Sequence, residues 1–420
     1  MNFTKRCISL LCTTVLLVSA SVVSASAVTA EASAEANKPE IVLNSADAAV
    51  QREDSDTVLK WEVQASGTYF VRMQYKYVTE GRNNVYGFLS VNSTTGVDDG
   101  EFAFQREYSY DSDFERDIYD NDITPTAEPL SEETENYLYS SNNLYSDRIS
   151  IDLQSGTNTV GIRHPSEVTV SAVILEPTEN TKSYSRMIAE YRANDAKVYS
   201  GEIIKTQAES AKRTSSATLY PISDRSSAIT EPIQNGKIRL NTIGGYRWQN
   251  VGEYVEWNVE VPEEGLYRLV LRVRQNVISE QTSHRALIVN GRIPFKEAQD
   301  IAIESSDDWN IYTLGDSEEQ LIYLNKGPNT IRLQATLGKM DTVLRGISET
   351  LEALNDIYLS LLVIIGSSPD TLRDYKLDEV VPEQLDLLEK QYKALEELTA
   401  QLEDYTGSGN TGVALLKTLL

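Results

Sequence analysis

Two groupings of aromatic and polar residues could bind a sugar. Tyr246, Arg247 and Trp248 follow Gly244-Gly245 in one loop, and Trp309-Asn310 follows Ser306-Asp307-Asp308 in a polar turn. A planar aromatic ring stacks on the apolar face of a pyranose, while Arg, Asn and Asp hydrogen-bond its hydroxyls. Trp248 fits a stacking platform and a core position equally well. Trp309 opens an apparent strand through Tyr312 and leans toward the core, with Asn310 beside it as a polar contact. Trp61 and Trp257 lie on the apolar side of alternating stretches and read as core.

Other chemistries find less support. The chain has only two histidines, His164 and His284. Ser283 and His284 are neighbours, so on a strand they face opposite sides and form no dyad. No Gly-x-Ser-x-Gly elbow occurs. With 63 acidic residues, carboxylate pairs are expected on a solvated surface and do not by themselves mark a glycosidase. The expectation is a non-enzyme. Asp98-Asp99 and Asp120-Asn121-Asp122 lack the spacing of a calcium loop and read as polar turns. Gly244-Gly245 lies between β segments, so it does not cradle phosphate. A net charge of -25 disfavours nucleic acid and anionic lipid surfaces.

The N-terminus reads as a targeting segment. Lys5 and Arg6 precede an apolar run over 8–23, and Ala25-Ser26-Ala27 is a small-residue cleavage site. Residues 1–27 are therefore expected to be a signal peptide, with no transmembrane segment after cleavage. The protein is expected to be secreted or cell-surface associated. Cys12 follows Leu10-Leu11, which is not a lipidation context. Both cysteines, Cys7 and Cys12, fall in the leader, so the mature chain would contain neither disulfide nor thiolate site.

The elements that must hold the aromatic loop are mainly β. After a flexible leader over 28–40, period-two alternation predicts strands at 57–65, 68–77, 85–91, 148–153, 158–163 and 168–175, a first β-sandwich over 41–178. An acidic, Tyr-rich insertion over 98–147 reads as a long loop. A linker over 179–202 contains a helix at 184–192. A second β-sandwich spans 203–337, with strands at 253–261, 266–273, 285–290, 320–324 and 330–335. In 254–261, Val255, Trp257, Val259 and Val261 form the apolar side, and Glu256, Asn258 and Glu260 a wet one.

The two β regions read as a duplication. Trp61, Gly67 and Tyr69 parallel Trp257, Gly265 and Tyr267. The run ending at Asn92 parallels the run ending at Asn290. Leu153, Gly156, Asn158 and Thr159 parallel Leu324, Gly327, Asn329 and Thr330. After Gly338 the apolar period becomes three-four, which predicts an α-helical hairpin over 338–405. The stretch 406–420 starts a further apolar helix in which Leu415, Leu416, Leu419 and Leu420 need a partner. The expectation is that the chain is truncated there. The fold class is thus mainly β: tandem jelly-roll sandwiches followed by a helical hairpin.

The second β region resembles family 6 and 35 carbohydrate-binding modules, the galactose-binding-like jelly roll. The residues concerned are Gln207-Ala208-Glu209, Gly252-Glu253-Tyr254, Val289-Asn290-Gly291 and Gly327-Pro328-Asn329-Thr330. The resemblance implies oligo- or polysaccharide binding and a structural calcium with Glu209 as a ligand; Gln207 replaces the usual first acid. Nearly the whole mature chain also resembles the N-terminal half of Gram-positive ABC-transporter extracellular sugar solute-binding proteins. That likeness is carried by Asp224-Arg225-Ser226-Ser227, Gly244-Gly245-Tyr246-Arg247-Trp248, Ile293-Pro294-Phe295 and Ser368-Pro369-Asp370. It implies a partner permease, reached through a bilobal domain that this sequence does not contain. A structural spacer that binds no sugar is the alternative.

Overall fold

The computed structural model describes residues 38–420 except 54, 93–99, 140, 142–146, 278–280, 316–318, 369–371 and 408. The stretch expected to be a signal peptide, most of the expected leader, Asp98-Asp99 and the Pro369-Asp370 part of the likeness lie outside the described residues. Pro39–Leu420 forms one compact unit.

The first repeat is a sandwich of two antiparallel sheets. One contains β1 (Ile41–Asn44), β4 (Gly67–Tyr77), β9 (Thr134–Tyr137), β10 (Ser150–Leu153) and β12 (Val168–Pro177). The other runs in the order β2 (Ala49–Glu53), β3 (Asp56–Gln64), β11 (Thr157–His164), β5 (Val85–Val91) and β6 (Glu101–Phe104). Alternation explains the layering. Tyr69, Val71, Met73, Tyr75 and Tyr77 of β4 point inward, where they meet Trp61, Leu89, Phe102, Phe104 and Ile162.

In the second repeat, β16 (Tyr254–Val261), β23 (Gly327–Thr336), β19 (Ser283–Val289) and β20 (Ile301–Ile303) are adjacent in one sheet. Two short ladders complete the repeat. They are β17 (Gly265–Arg268) with β22 (Leu321–Leu324), and β18 (Val270–Val273) with β21 (Asn310–Thr313). The strand expected at 266–273 is therefore broken at Leu269, whose carbonyl accepts the Leu314 amide at 3.1 Å. A continuous apolar alternation cannot reveal such a change of partner.

The duplication extends to register. Trp61 lies opposite Val160, and Val160 opposite Val91. Trp257 likewise lies opposite Ile331, and Ile331 opposite Val289. Both indoles donate to a carbonyl at 2.8 Å, Trp61 to Asn44 and Trp257 to Ala208. Each repeat also closes with an asparagine clasp. Asn92 Nδ2 donates to Asn158 Oδ1 at 2.9 Å, and Asn290 Nδ2 to Asn329 Oδ1 at 2.9 Å. Asn92 and Asn290 both adopt the left-handed backbone, at φ 52° and 50°.

The insertion differs from the loop expected of it. Its described part supplies β6 and β9 to the first sandwich. It also gives β7 (Tyr108–Ser109) and β8 (Glu128–Pro129) to the second. There β7 pairs with β13 (Arg213–Thr214), which pairs with β16. This arrangement corrects the expected wet face of β16. Tyr254 and Glu256 are buried because the first repeat covers that half of the strand, while Asn258 and Glu260 remain exposed.

The helices follow their apolar period. Helix α1 (Tyr184–Ala193) packs Met187 and Ile188 on the second sandwich. Helices α2 (Met340–Ile365) and α4 (Pro382–Thr406) form the hairpin, with a short α3 (Leu377–Val380) between them. Helix α5 (Thr411–Leu419) is capped by Asn410, whose side chain accepts the Gly412 amide at 2.7 Å. It docks Val413 and Leu416 against Val343, Leu395 and Leu402. Leu416 thus has the partner the sequence asked for, and Leu420 is partly covered, while Leu415 and Leu419 stay exposed. Among the described residues no helix is long and apolar enough to cross a membrane.

Candidate functional site

A short hairpin, β14 (Pro221–Ile222) with β15 (Thr242–Ile243), carries the aromatic loop. Gly244 follows it at φ 109° and ψ -120°, a conformation that favours glycine. A Cβ there would also come within 3.2 Å of the Trp248 ring. One tight turn then sends Tyr246 outward and Trp248 inward. Tyr246 is 72% exposed. Trp248 packs against both apolar clusters of the second repeat, and its indole donates to the Glu253 carbonyl at 2.9 Å. Arg285 lies 4.5 Å over the Trp248 ring, and burial pushes its guanidinium down to about 10. Of the two aromatics, Tyr246 is the one with a face free for stacking.

Arg247 stands beside it. Its guanidinium covers Tyr220 at 4.4 Å and donates to the Tyr220 hydroxyl at 2.6 Å. The second predicted grouping is built differently. Asn310 begins β21 opposite Val273, and Trp309 just before it is partly buried under Arg274, 5.1 Å from the ring. Arg274 pairs with Asp224 at 2.5 Å. Burial opposes ionisation of Asp224, but hydrogen bonds from Ser226 and the charge of Arg274 outweigh it and hold its carboxyl below the usual range. The groupings are linked by the segment from Tyr220 to Asp224, a span of about 13 Å at most when extended. The structure thus adds Tyr220, Asp224, Arg274 and Arg285 to the residues the sequence singled out. Of these, Tyr220 and Asp224 lie in stretches, 214–221 and 224–227, that carry the solute-binding-protein likeness in the sequence.

Glu209 is buried, and burial pushes its carboxyl up to about 7. Among the described residues its Oε2 has no hydrogen-bond partner. That suits one ligand of a cation. Calcium takes about six to eight oxygens, several of them usually carboxylate. Among the described residues no group of three His, Cys, Asp or Glu is gathered, and Gln207 stands where the resemblance places a second acid. The donor set is short of such a cage. Asp120 and Asp122 are engaged elsewhere: Asp120 Oδ2 accepts Arg239 at 2.8 Å and Asp122 Oδ1 accepts it at 2.9 Å. They clamp the insertion to the second repeat.

A buried polar cluster between the insertion and the second sandwich was not legible in the sequence. Arg332 donates to Glu256 at 2.8 Å and to Asn136 at 2.5 Å, and reaches Glu107 at 3.4 Å. Arg213 and the Tyr254 hydroxyl donate to the same Glu107 carboxylate at 2.6 and 2.5 Å. Burial raises the Glu107 pKa, but Arg332, Tyr254 and Arg213 prevail and hold it below the ordinary value. Among the described residues both Glu107 oxygens and one Glu256 oxygen accept hydrogen bonds, so the cluster ties the insertion to the second sandwich. Neither histidine ring bonds to these groups, although the His284 carbonyl accepts Arg285 at 2.7 Å. His164 Nδ1 is 3.1 Å from the Pro165 carbonyl, and His284 Nδ1 is 2.5 Å from Asp300.

The sequence matches no family model and no curated protein. Several solved structures are similar to it. A family 35 carbohydrate-binding module from Clostridium thermocellum is 24% identical over 33% of this chain and 89% of its own, with TM-score 0.24. A Paenibacillus cycloisomaltooligosaccharide glucanotransferase is 22% identical over 38% of this chain, which spans only 21% of that enzyme, with TM-score 0.24. An isomalto-dextranase from Arthrobacter globiformis is 9% identical over 68% of this chain and 33% of its own, with TM-score 0.21.

Proposed function

We propose that this chain is a secreted, non-catalytic carbohydrate-binding protein that holds neutral oligo- or polysaccharide on the loop of its second sandwich. The observation that carries the reading is the exposed Tyr246 ring beside the Arg247–Tyr220 pair, on a turn anchored by Trp248. Tyr246 would stack on a sugar face, and Arg247 would donate to hydroxyls. The stretches that resemble extracellular sugar receptors are the motive for placing it beside an ABC importer, with the tandem presenting glycan to a solute-binding domain and its permease. The leader over 1–27 supports secretion. The alternative, a spacer without sugar affinity, is favoured by the many polar groups spent on joining the repeats.

Affinity electrophoresis of the full chain through gels containing dextran or xylan tests the reading. Tyr246→Ala should abolish most retardation while changing stability by less than about 0.5 kcal/mol. Trp248→Ala should instead cost about 3 kcal/mol, since it empties a packed position. A chain that migrates freely in every neutral polysaccharide would leave only the spacer.

A further inference from the structure

The insertion and the second sandwich flank an open cleft of about 380 Å³, within the usual range for a ligand site of about 300–1,000 Å³. One wall is Ser109, Tyr110 and Ser112 of the insertion. The other is Ser210 and Lys212 before β13, and the floor reaches Asn258 on the exposed half of β16. We propose that this cleft is a second saccharide site, specific for a neutral polyhydroxylated ligand, formed only where the first repeat reaches across to the second.

Three observations carry it. First, the walls are fixed. Tyr108 pairs with Thr214, the Lys212 amide donates to the Glu256 carbonyl at 2.8 Å, and the Tyr110 hydroxyl donates to the Glu209 carbonyl at 3.0 Å. Second, the side chains of Ser109, Ser112, Ser210, Lys212 and Asn258 are engaged in no hydrogen bond or ion pair among the described residues. Five uncommitted polar groups thus converge on one concavity. Third, the charge is selective. Glu132 at the rim is already paired with Arg213 at 3.0 Å. Hydroxyls and an amide both donate and accept, which matches vicinal sugar hydroxyls. Lys212 can donate to a sugar hydroxyl, and a polyanion drawn to it would still meet a chain of net charge -25.

The inference rests on the sugar-binding reading for its ligand class, but not on the Tyr246 loop. The test is affinity electrophoresis of the full chain in dextran, xylan or polygalacturonate gels, with melting curves for each variant. Ser210→Trp fills the cleft, and Asn258→Ala removes one contact in case the bulky change disturbs folding. Each should weaken retardation by a neutral polymer about three- to tenfold with unchanged melting. Combining either with Tyr246→Ala should abolish it. Wild-type retardation in both cleft variants overturns the second site, even if Tyr246→Ala loses binding. Loss in the cleft variants with full binding by Tyr246→Ala upholds the cleft and overturns the loop. Stronger retardation by polygalacturonate than by either neutral polymer overturns the ligand class.

Discussion

The two sandwiches share a register, an indole anchor and an asparagine clasp, yet one pair of facing positions gives them different fates. In the first repeat Lys60 lies opposite Gly161; in the second the equivalent pair is Glu256 opposite Arg332. Gly161 leaves so little room that a Cβ would meet Ser90 Oγ at 2.4 Å. Lys60 is half-buried beside the edge strand β2. Arg332 instead extends from its strand to meet Glu107, Asn136 and Glu256. The lesson is that a duplicated framework tolerates opposite surfaces. The alternation that builds a sheet specifies which residues face out, while the neighbour decides whether "out" means water.

The sharpest way to break this comparison is to make the second repeat resemble the first. Arg332→Met leaves Glu107 and Glu256 buried without their shared cation and should cost about 3–5 kcal/mol in urea unfolding. Adding Glu107→Gln should recover part of that loss. A neutral Arg332→Met would mean the repeats are held together by something else. The pH dependence has a definite sign. Glu107 is an acid whose folded pKa lies below its ordinary value, so its contribution is present above the usual carboxylate range. It is lost as pH falls through the folded pKa, and Glu107→Gln should flatten the acid limb of the stability curve.

The shared clasp makes the next test. Asn158 and Asn329 are 1% and 2% exposed, and each bonds its own turn as well as its partner asparagine. Alanine at either should cost about 2 kcal/mol, and the two losses should match within about 0.5 kcal/mol. Unequal losses in thermal unfolding would mean that the repeats have diverged even at the clasp.

The smallest expected effect concerns Glu209. Its folded pKa is raised to about 7, so the folded state binds the extra proton and stability falls as pH rises from about 4.5 toward 7. Glu209→Gln should remove that slope, raising the melting temperature at pH 8 and leaving it unchanged near pH 4. If millimolar calcium raises the wild-type melting temperature at pH 8 but not that of Glu209→Gln, the carboxylate holds a cation after all.

Much of the framework was legible because its signals are local. Alternation located β3, β4, β11 and β16, and the Asn and Gly positions announced the two clasps. The insertion was opaque for a physical reason: strands of two residues, such as β7 and β8, have no period to detect. The burial of Glu256 was equally hidden, since it depends on a partner 149 positions earlier, Glu107, reached through Arg332. For the site, sequence identified the right loop but could not tell its outward ring from its inward one. That choice is made by Gly244, which turns Trp248 toward Glu253 and Arg285 and leaves Tyr246 outside.

The strands lent by the insertion also bear on time. Arg332 follows Glu107 by 225 positions, which at about 5–20 residues per second is roughly 11–45 s of synthesis. Within that interval β13 arrives first to pair with β7, and Arg213 and Tyr254 reach Glu107 before Arg332 completes the cluster. The β7–β8 part of the arm, rich in acids and tyrosines and poor in aliphatic residues, is suited to staying solvated while it waits.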